Sequence, residues 1–239
     1  MISGQTRGIF YWVRRAGGDR LQKLVLFKAG DRGRLLDVGC GNGRFLAQMR
    51  KLGWEVVGVE PDPEAVRIAK ERFGLEVFQG TLEEAGFPDN SFDAITMNHV
   101  IEHVPDPIRL LAECRRVLKP GGKLVVVTPN IWSLGRRLFG EHWRGWEVPR
   151  HLFLFSPKSL RTCAERAGLV VQNLRTTSKG ARFIWAASWL IRRDGKLPGG
   201  SPQRVGLWLR LEGLAFWAVE YMLCRVGPFG EEIVVEAVK

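Results

Sequence analysis

The sequence predicts an α/β protein built on a doubly wound, mainly parallel sheet, and three observations carry that expectation. Apolar runs of strand length alternate with segments of helical periodicity across residues 34–178, the pattern that lays crossover helices on both faces of a parallel sheet. The first run, Leu35-Leu36-Asp37-Val38, breaks at Gly39-Cys40-Gly41-Asn42-Gly43 and resumes as Arg44-Phe45-Leu46-Ala47-Gln48-Met49-Arg50, a strand, a glycine turn and a helix start. Polar and acidic residues then fall at the carboxyl ends of successive strands, the edge where ligands of such sheets bind.

The glycine turn brings backbone N–H groups and the positive end of a helix dipole to one point. Without Cβ atoms a ligand there can lie directly on the backbone, so Asp37, Gly39, Cys40, Gly41, Asn42 and Gly43 are candidate cofactor contacts. The Gly-x-Gly-x-Gly spacing, followed by Arg44, departs from the Gly-x-Gly-x-x-Gly dinucleotide fingerprint. A carboxylate at Asp37 would repel a pyrophosphate and suits a ligand carrying an ammonium group, such as S-adenosylmethionine.

Trp54–Glu60 reads as the second strand. Glu60 stands seventeen residues after Gly43, where an acid meets the two ribose hydroxyls of an adenosine cofactor; NAD would satisfy it equally. Pro61-Asp62-Pro63 opens a helix from Glu64 to Arg72, Leu75–Gln79 is a third strand, and Gly80-Thr81-Leu82-Glu83 turns the chain back. Phe92–Met97 is a fourth strand, with Asn98 and His99 leaving its carboxyl end. A helix from Ile108 to Leu118 stops at Lys119-Pro120-Gly121-Gly122, and Lys123–Thr128 forms a fifth strand. Residues 129–156 read as a loop, Pro157–Ala167 as a helix and Gly168–Leu174 as a sixth strand.

At 239 residues the chain suits one full α/β domain, or a core with a small appendage. Its charge is uneven: eight Lys/Arg against two Asp/Glu in residues 1–34, eleven against fourteen in 35–131, seventeen against nine in 132–239. The basic flanks suit nucleic acid, an anionic membrane, an acidic small molecule or simply an Arg-rich surface. Cys40, Cys114, Cys163 and Cys224 form no Cys-x-x-Cys pair, which argues against a zinc site or a disulfide framework. Ile9–Val13 ahead of Arg14-Arg15 is too short for a signal-peptide apolar region. A cytoplasmic location is expected.

The stretch Asp37–Gly43 closely resembles motif I of the class I S-adenosylmethionine-dependent methyltransferases, and Leu111–Gly122 is also typical of that family. The resemblance covers about residues 34–178 and the last strand. It implies a Rossmann-like sheet of seven strands with the last antiparallel, supplied here by Glu232–Val238. It further implies S-adenosylmethionine as cofactor, held by the motif I residues, Glu60, Pro61, Asn98 and His99, with Thr81 and Leu82 lining the adenine. Many members carry Asp where Thr81 stands.

Glu102-His103-Val104-Pro105-Asp106-Pro107 is similar to the ubiquinone-biosynthesis O-methyltransferase branch, in which this turn borders the substrate. His99-Val100-Ile101-Glu102-His103 also spells the His-x-x-Glu-His of inverted zinc proteases. Its position after a strand of a cofactor-binding sheet argues against that activity; no metal ligands are assigned, and a divalent metal that helps to ionise a phenol is the minor alternative. The resemblance implies a small or lipid-linked acceptor, methylated at a hydroxyl and covered by loop 129–156. A hydroxyl must lose a proton, for which a histidine of near-neutral pKa suits; His151 is the first candidate base, followed by His99 and His103.

Residues 1–33 are expected to form a basic helical lead-in, and residues 34–239 the cofactor-binding domain. A helical insertion over 180–228 precedes the last strand. Phe183–Ile191 and Val205–Val226 are densely apolar and aromatic, but Arg210, Glu212 and Glu220 interrupt the second, which argues against a transmembrane span. Residues 183–226 could contact a membrane peripherally, pack as helices or pair two copies of the chain. An RNA methyltransferase is the alternative substrate class, although the chain lacks the Asn/Asp-Pro-Pro-aromatic signature after the fourth strand. A nicotinamide-dependent dehydrogenase and a non-catalytic cofactor-binding module are the alternatives from other classes.

Overall fold

The computed structural model describes residues 32–195 and 206–239; the lead-in expected over most of 1–33 and the Gly/Pro-rich break inside the insertion lie outside the described residues. Seven strands pair in one sheet of order β3-β2-β1-β4-β5-β7-β6: β1 Arg34–Val38, β2 Glu55–Glu60, β3 Glu76–Gln79, β4 Phe92–Asn98, β5 Leu118–Pro129, β6 Val170–Thr177 and β7 Glu232–Val238. The helices are α1 Arg44–Lys51, α2 Pro63–Phe73, α3 Pro107–Val117, α4 Leu134–Phe139, α5 Pro157–Arg166, α6 Ala181–Asp194 and α7 Leu207–Leu223. β1 pairs in parallel with β2 and β4, and β2 with β3, whereas β6 and β7 run antiparallel. The fold is the expected doubly wound sheet with its last strand reversed.

The chain divides into two compact units. The first comprises the described residues up to Asn98, Arg116–Val125 and Lys239; the second comprises His99–Arg115 and Val126–Val238. In the first, Leu35, Phe45, Leu46, Met49, Trp54, Val66 and Val77 bury together in one core. α1 contributes Phe45, Leu46 and Met49 to it, the i, i+1, i+4 spacing that puts three side chains on one helix face. α2 is stopped and started by its own sequence: Asp62 accepts from the Glu64 amide at the N-cap, Pro63 opens the first turn, and Gly74 closes it left-handed, as capping rules require.

In the second unit the structure departs from the expected loop over 129–156. Ser133 accepts the Arg136 amide and starts α4, and two 3-10 turns follow at Gly140–His142 and Arg144–Trp146. The N-cap serine was the overlooked signal. β5 begins at Leu118, ahead of the expected Lys123. Pro120 cannot continue a helix, and Gly121 takes φ +75°, so the chain straightens at once.

The insertion is two packed helices: Trp185 of α6 and Phe216 of α7 lie 4.9 Å apart ring to ring. The buried face of α7 is Gly213, Phe216 and Glu220. Its opposite side leaves Trp208, Leu211, Val219 and Met222 exposed, Trp208 by 78%. Among the described residues, no helix is long and apolar enough to cross a membrane.

Candidate functional site

In the first unit, Gly39, Gly41 and Gly43 all adopt positive φ, +68°, +54° and +73°, a region that costs an L-residue about 1–2 kcal/mol. Their second reasons differ. A Cβ on Gly43 would stand 2.5 Å from Leu75 Cδ1 and 2.9 Å from Ala69 Cβ, so this glycine lets the turn pack on α2. A Cβ on Gly41 would meet nothing within 4 Å, so Gly41 opens onto free space rather than onto the core. The turn is anchored by the Gly39 and Cys40 amides, which both donate to the Val59 carbonyl.

The acid at the tip of β2 reaches the same turn. Glu60 Oε2 accepts the Gly41 amide at 2.7 Å and Oε1 accepts the Asp62 amide at 3.0 Å. Asp37 is fully buried, and its Oδ1 accepts the Thr96 hydroxyl at 2.7 Å from the neighbouring strand β4. Asn42 Oδ1 is buried without a hydrogen-bond partner, an acceptor inside the glycine turn that a ligand donor would satisfy. The open side of Gly41 and this orphaned acceptor fit a cofactor carrying an amino group.

The other expected contacts vary. Cys40 is buried, and its Sγ would stand 2.6 Å from a Cβ on Gly58, so Cys40 offers a ligand its backbone alone. Pro61 is exposed beside Glu60 and Asn98 is half-buried at the end of β4. Thr81 is engaged with Glu84, its amide donating to Oε2 at 2.7 Å. Leu82 is 1% exposed.

In the second unit the three histidines part company. His99 takes φ +54°, outside the 3-10 turn Ile101–His103, so His99 and His103 do not share a helix face as His-x-x-Glu-His on a helix would require. Its Nδ1 lies 3.2 Å from Glu102 Oε1 and its Nε2 3.2 Å from Glu232 Oε1. Burial works against the imidazolium, but the two carboxylates outweigh it and push the pKa up to about 10. The two carboxylates thus favour the protonated form of His99 and make it a weaker candidate for a general base.

Glu102 is the hub of this unit's polar network. Its fully buried carboxylate takes His99 on one oxygen and the Thr128 hydroxyl, at 2.9 Å, on the other. Its carbonyl accepts the Leu152 and Phe153 amides. Burial alone would raise the Glu102 pKa; His99 and Thr128 more than offset it and hold the carboxyl below its ordinary value.

His103 and His151 pair instead, ring centroids 4.8 Å apart. His103 Nδ1 donates to the Arg150 carbonyl at 2.8 Å and His151 Nδ1 to the Gly145 carbonyl at 2.7 Å. When neutral, either ring carries its proton on Nδ1 and keeps a lone pair on Nε2. Burial lowers the His151 pKa below its ordinary value, which favours the neutral ring. Glu147, at φ +37°, braces the segment between Arg144 and Arg150. Glu102, His103 and His151 each present one donor atom within 4.8 Å of the others, an arrangement that suits either proton transfer or a metal ion. Glu232, Thr96 and Thr128, which hold these groups, escaped the sequence reading; each is a polar residue in a strand, with no local spacing to mark it.

A family model described as a methyltransferase domain matches residues 10–174. A ubiquinone biosynthesis O-methyltransferase from Xanthomonas oryzae is 41% identical over 104 residues, covering 41% of this chain and 43% of that protein. One from Cereibacter sphaeroides is 35% identical over 147 residues, covering 57% of this chain and 60% of that one. The chain thus spans about half the length of these curated relatives. Among solved structures, a Thermotoga maritima SAM-dependent methyltransferase has a TM-score of 0.57 at 26% identity, over 86% of this chain and 81% of that one. A Haemonchus contortus phosphoethanolamine N-methyltransferase 2, solved with S-adenosyl-L-methionine, shares the fold at TM-score 0.59 and 20% identity, over 87% of this chain and 48% of that one.

Proposed function

The chain belongs to the class I S-adenosylmethionine-dependent methyltransferases, and we propose that it methylates a hydroxyl group of a small or lipid-linked acceptor. The single observation that carries the hydroxyl reading is the setting of His151, whose Nδ1 donates to the Gly145 carbonyl and whose Nε2, 3.6 Å from Glu147 Oε2, is the ring's remaining proton acceptor. The curated relatives named as O-methyltransferases support the same acceptor chemistry. A sulfonium cofactor supplies a methyl carbon that already bears a good leaving group. What remains for the protein is to orient a nucleophile, exclude water and accept its proton.

In this reading the motif I turn, with Asn42 and Glu60, holds the cofactor. The Gly41 and Asp62 amides each take one lone pair of the Glu60 carboxylate, and each oxygen keeps another that would accept a ribose hydroxyl. Asp37 supplies a negative charge for the amino group. His151 serves as base, His103 packs against it, and the protonated His99 fixes Glu102. Replacing His151 with Gln should lower turnover roughly 10²–10⁴-fold while leaving S-adenosylhomocysteine affinity unchanged. Equal turnover in H151Q would remove His151 from the role. A loss on adding chelator, restored by a divalent cation, would instead make the Glu102–His103–His151 cluster a metal centre.

The nicotinamide-dehydrogenase alternative lapses with the family assignment. We read the exposed apolar side of α7, flanked by Arg210 and Arg225, as a peripheral contact with an anionic bilayer. RNA as acceptor has only the positive charge in its favour.

A further inference from the structure

We propose that the second unit carries a separate site for a phosphate group borne on an apolar or aromatic body, built by Arg136 and Arg137. The two arginines follow one another in the last turn of α4, and both line a cleft of about 530 Å³ with Gly140, Glu141, Trp146 and Val148. Arg136 Nε is buried with no hydrogen-bond acceptor, a donor whose desolvation nothing in the described chain compensates. Among the described residues that line the cleft the one acid is Glu141, which is 88% exposed and lies 3.6 Å from His142.

The aromatic surroundings fix both guanidinium groups. Arg136 lies over the Trp146 ring at 5.8 Å and Arg137 over the Phe229 ring at 4.9 Å, which orients planar forks whose N–H groups remain available. Trp146 is itself tied down by its Nε1 donating to the Gly140 carbonyl at 2.8 Å. Both cations line the one cleft, and an anion bound there would offset their charge. A phosphate, with up to two negative charges and three or more oxygens, matches two forks better than a single carboxylate does. Val148, 78% exposed at the cleft, and the Trp146 face offer apolar surface for the rest of the ligand. This site goes beyond the methyl-transfer reading and does not depend on it.

Calorimetry on the whole chain tests it with phenyl phosphate, benzyl alcohol and monomeric dihexanoyl phosphatidic acid as probes. Phenyl phosphate should bind saturably and benzyl alcohol should give no heat, a comparison that needs no variant. R136Q and R137Q should each weaken phenyl phosphate binding about tenfold or more, and the double variant should abolish it. S-adenosylhomocysteine affinity should stay unchanged in all three, which certifies folding and keeps this test apart from that of the methyl-donor site. Tighter binding of the phosphatidic acid than of phenyl phosphate would mark a lipid headgroup as the source; the reverse order would mark a soluble aromatic phosphate. Absence of saturable phosphate binding, or affinity indifferent to both substitutions, would overturn the proposal.

Discussion

Gly41 and Gly43 adopt nearly the same backbone geometry for different ends, and single substitutions separate them. Each Ala variant incurs the left-handed penalty of about 1–2 kcal/mol. G43A adds a collision with Leu75 and Ala69, so it should lower the melting temperature more than G41A. G41A, whose methyl group projects into open space, should instead lose more S-adenosylhomocysteine affinity. Thermal melts and calorimetry on the two variants check the crossing pattern; equal losses in both assays would contradict it. This part of the site was legible in the sequence, because a glycine turn beside an acid is encoded within seven consecutive residues. The histidines were legible only as residue types. Whether His99 or His151 can accept a proton depends on Glu232 and on the Gly145 carbonyl, contacts made by folding and marked by no spacing along the chain.

At the scale of the element, α7 shows how an apolar helix can conceal a titratable group. Glu220 follows Gly213 and Phe216 on the buried face, and both its oxygens lack partners. Burial, together with the negative charge of Glu231, raises its pKa from 4.5 to about 9. The folded chain keeps a proton that the unfolded chain releases, so stability falls as pH rises from about 5 toward 9 and levels off above it. Glu231, held by the Gly135 amide and Trp143 Nε1, is raised by burial to about 7 and adds a smaller fall that ends sooner. E220Q should therefore flatten the upper part of the decline and gain stability over the parent at pH 8–9, measured by urea denaturation across pH. An unchanged pH profile would show that Glu220 is ionised in the folded protein. The sequence presented Glu220 as an interruption of an apolar run, a reading that caught its strangeness and missed which face it occupies. The short helix α4 was missed for a related reason: six residues carry too little periodicity to stand out from a loop.

Across the whole molecule, the doubly wound sheet and its reversed last strand follow the alternation of strands and helices together with the family resemblance, so the fold class was readable almost throughout. The role of the insertion was not, since an apolar aromatic helix is compatible with a core, a dimer or a bilayer. Its exposed side and the excess of Lys/Arg in residues 132–239 predict flotation with phosphatidylglycerol vesicles at low salt, weakened by salt and by Trp208→Ser with Met222→Ser. Recovery of the protein in the unbound fraction at low salt would end the membrane reading. The central claim is that the motif I turn, joined by Glu60, forms the seat of a methyl donor, and calorimetry with S-adenosylhomocysteine and NADH tests it most directly. The account predicts saturable S-adenosylhomocysteine binding, weakened about tenfold or more by Glu60→Gln, and no heat from NADH; binding of NADH, or S-adenosylhomocysteine affinity untouched by E60Q, would contradict it.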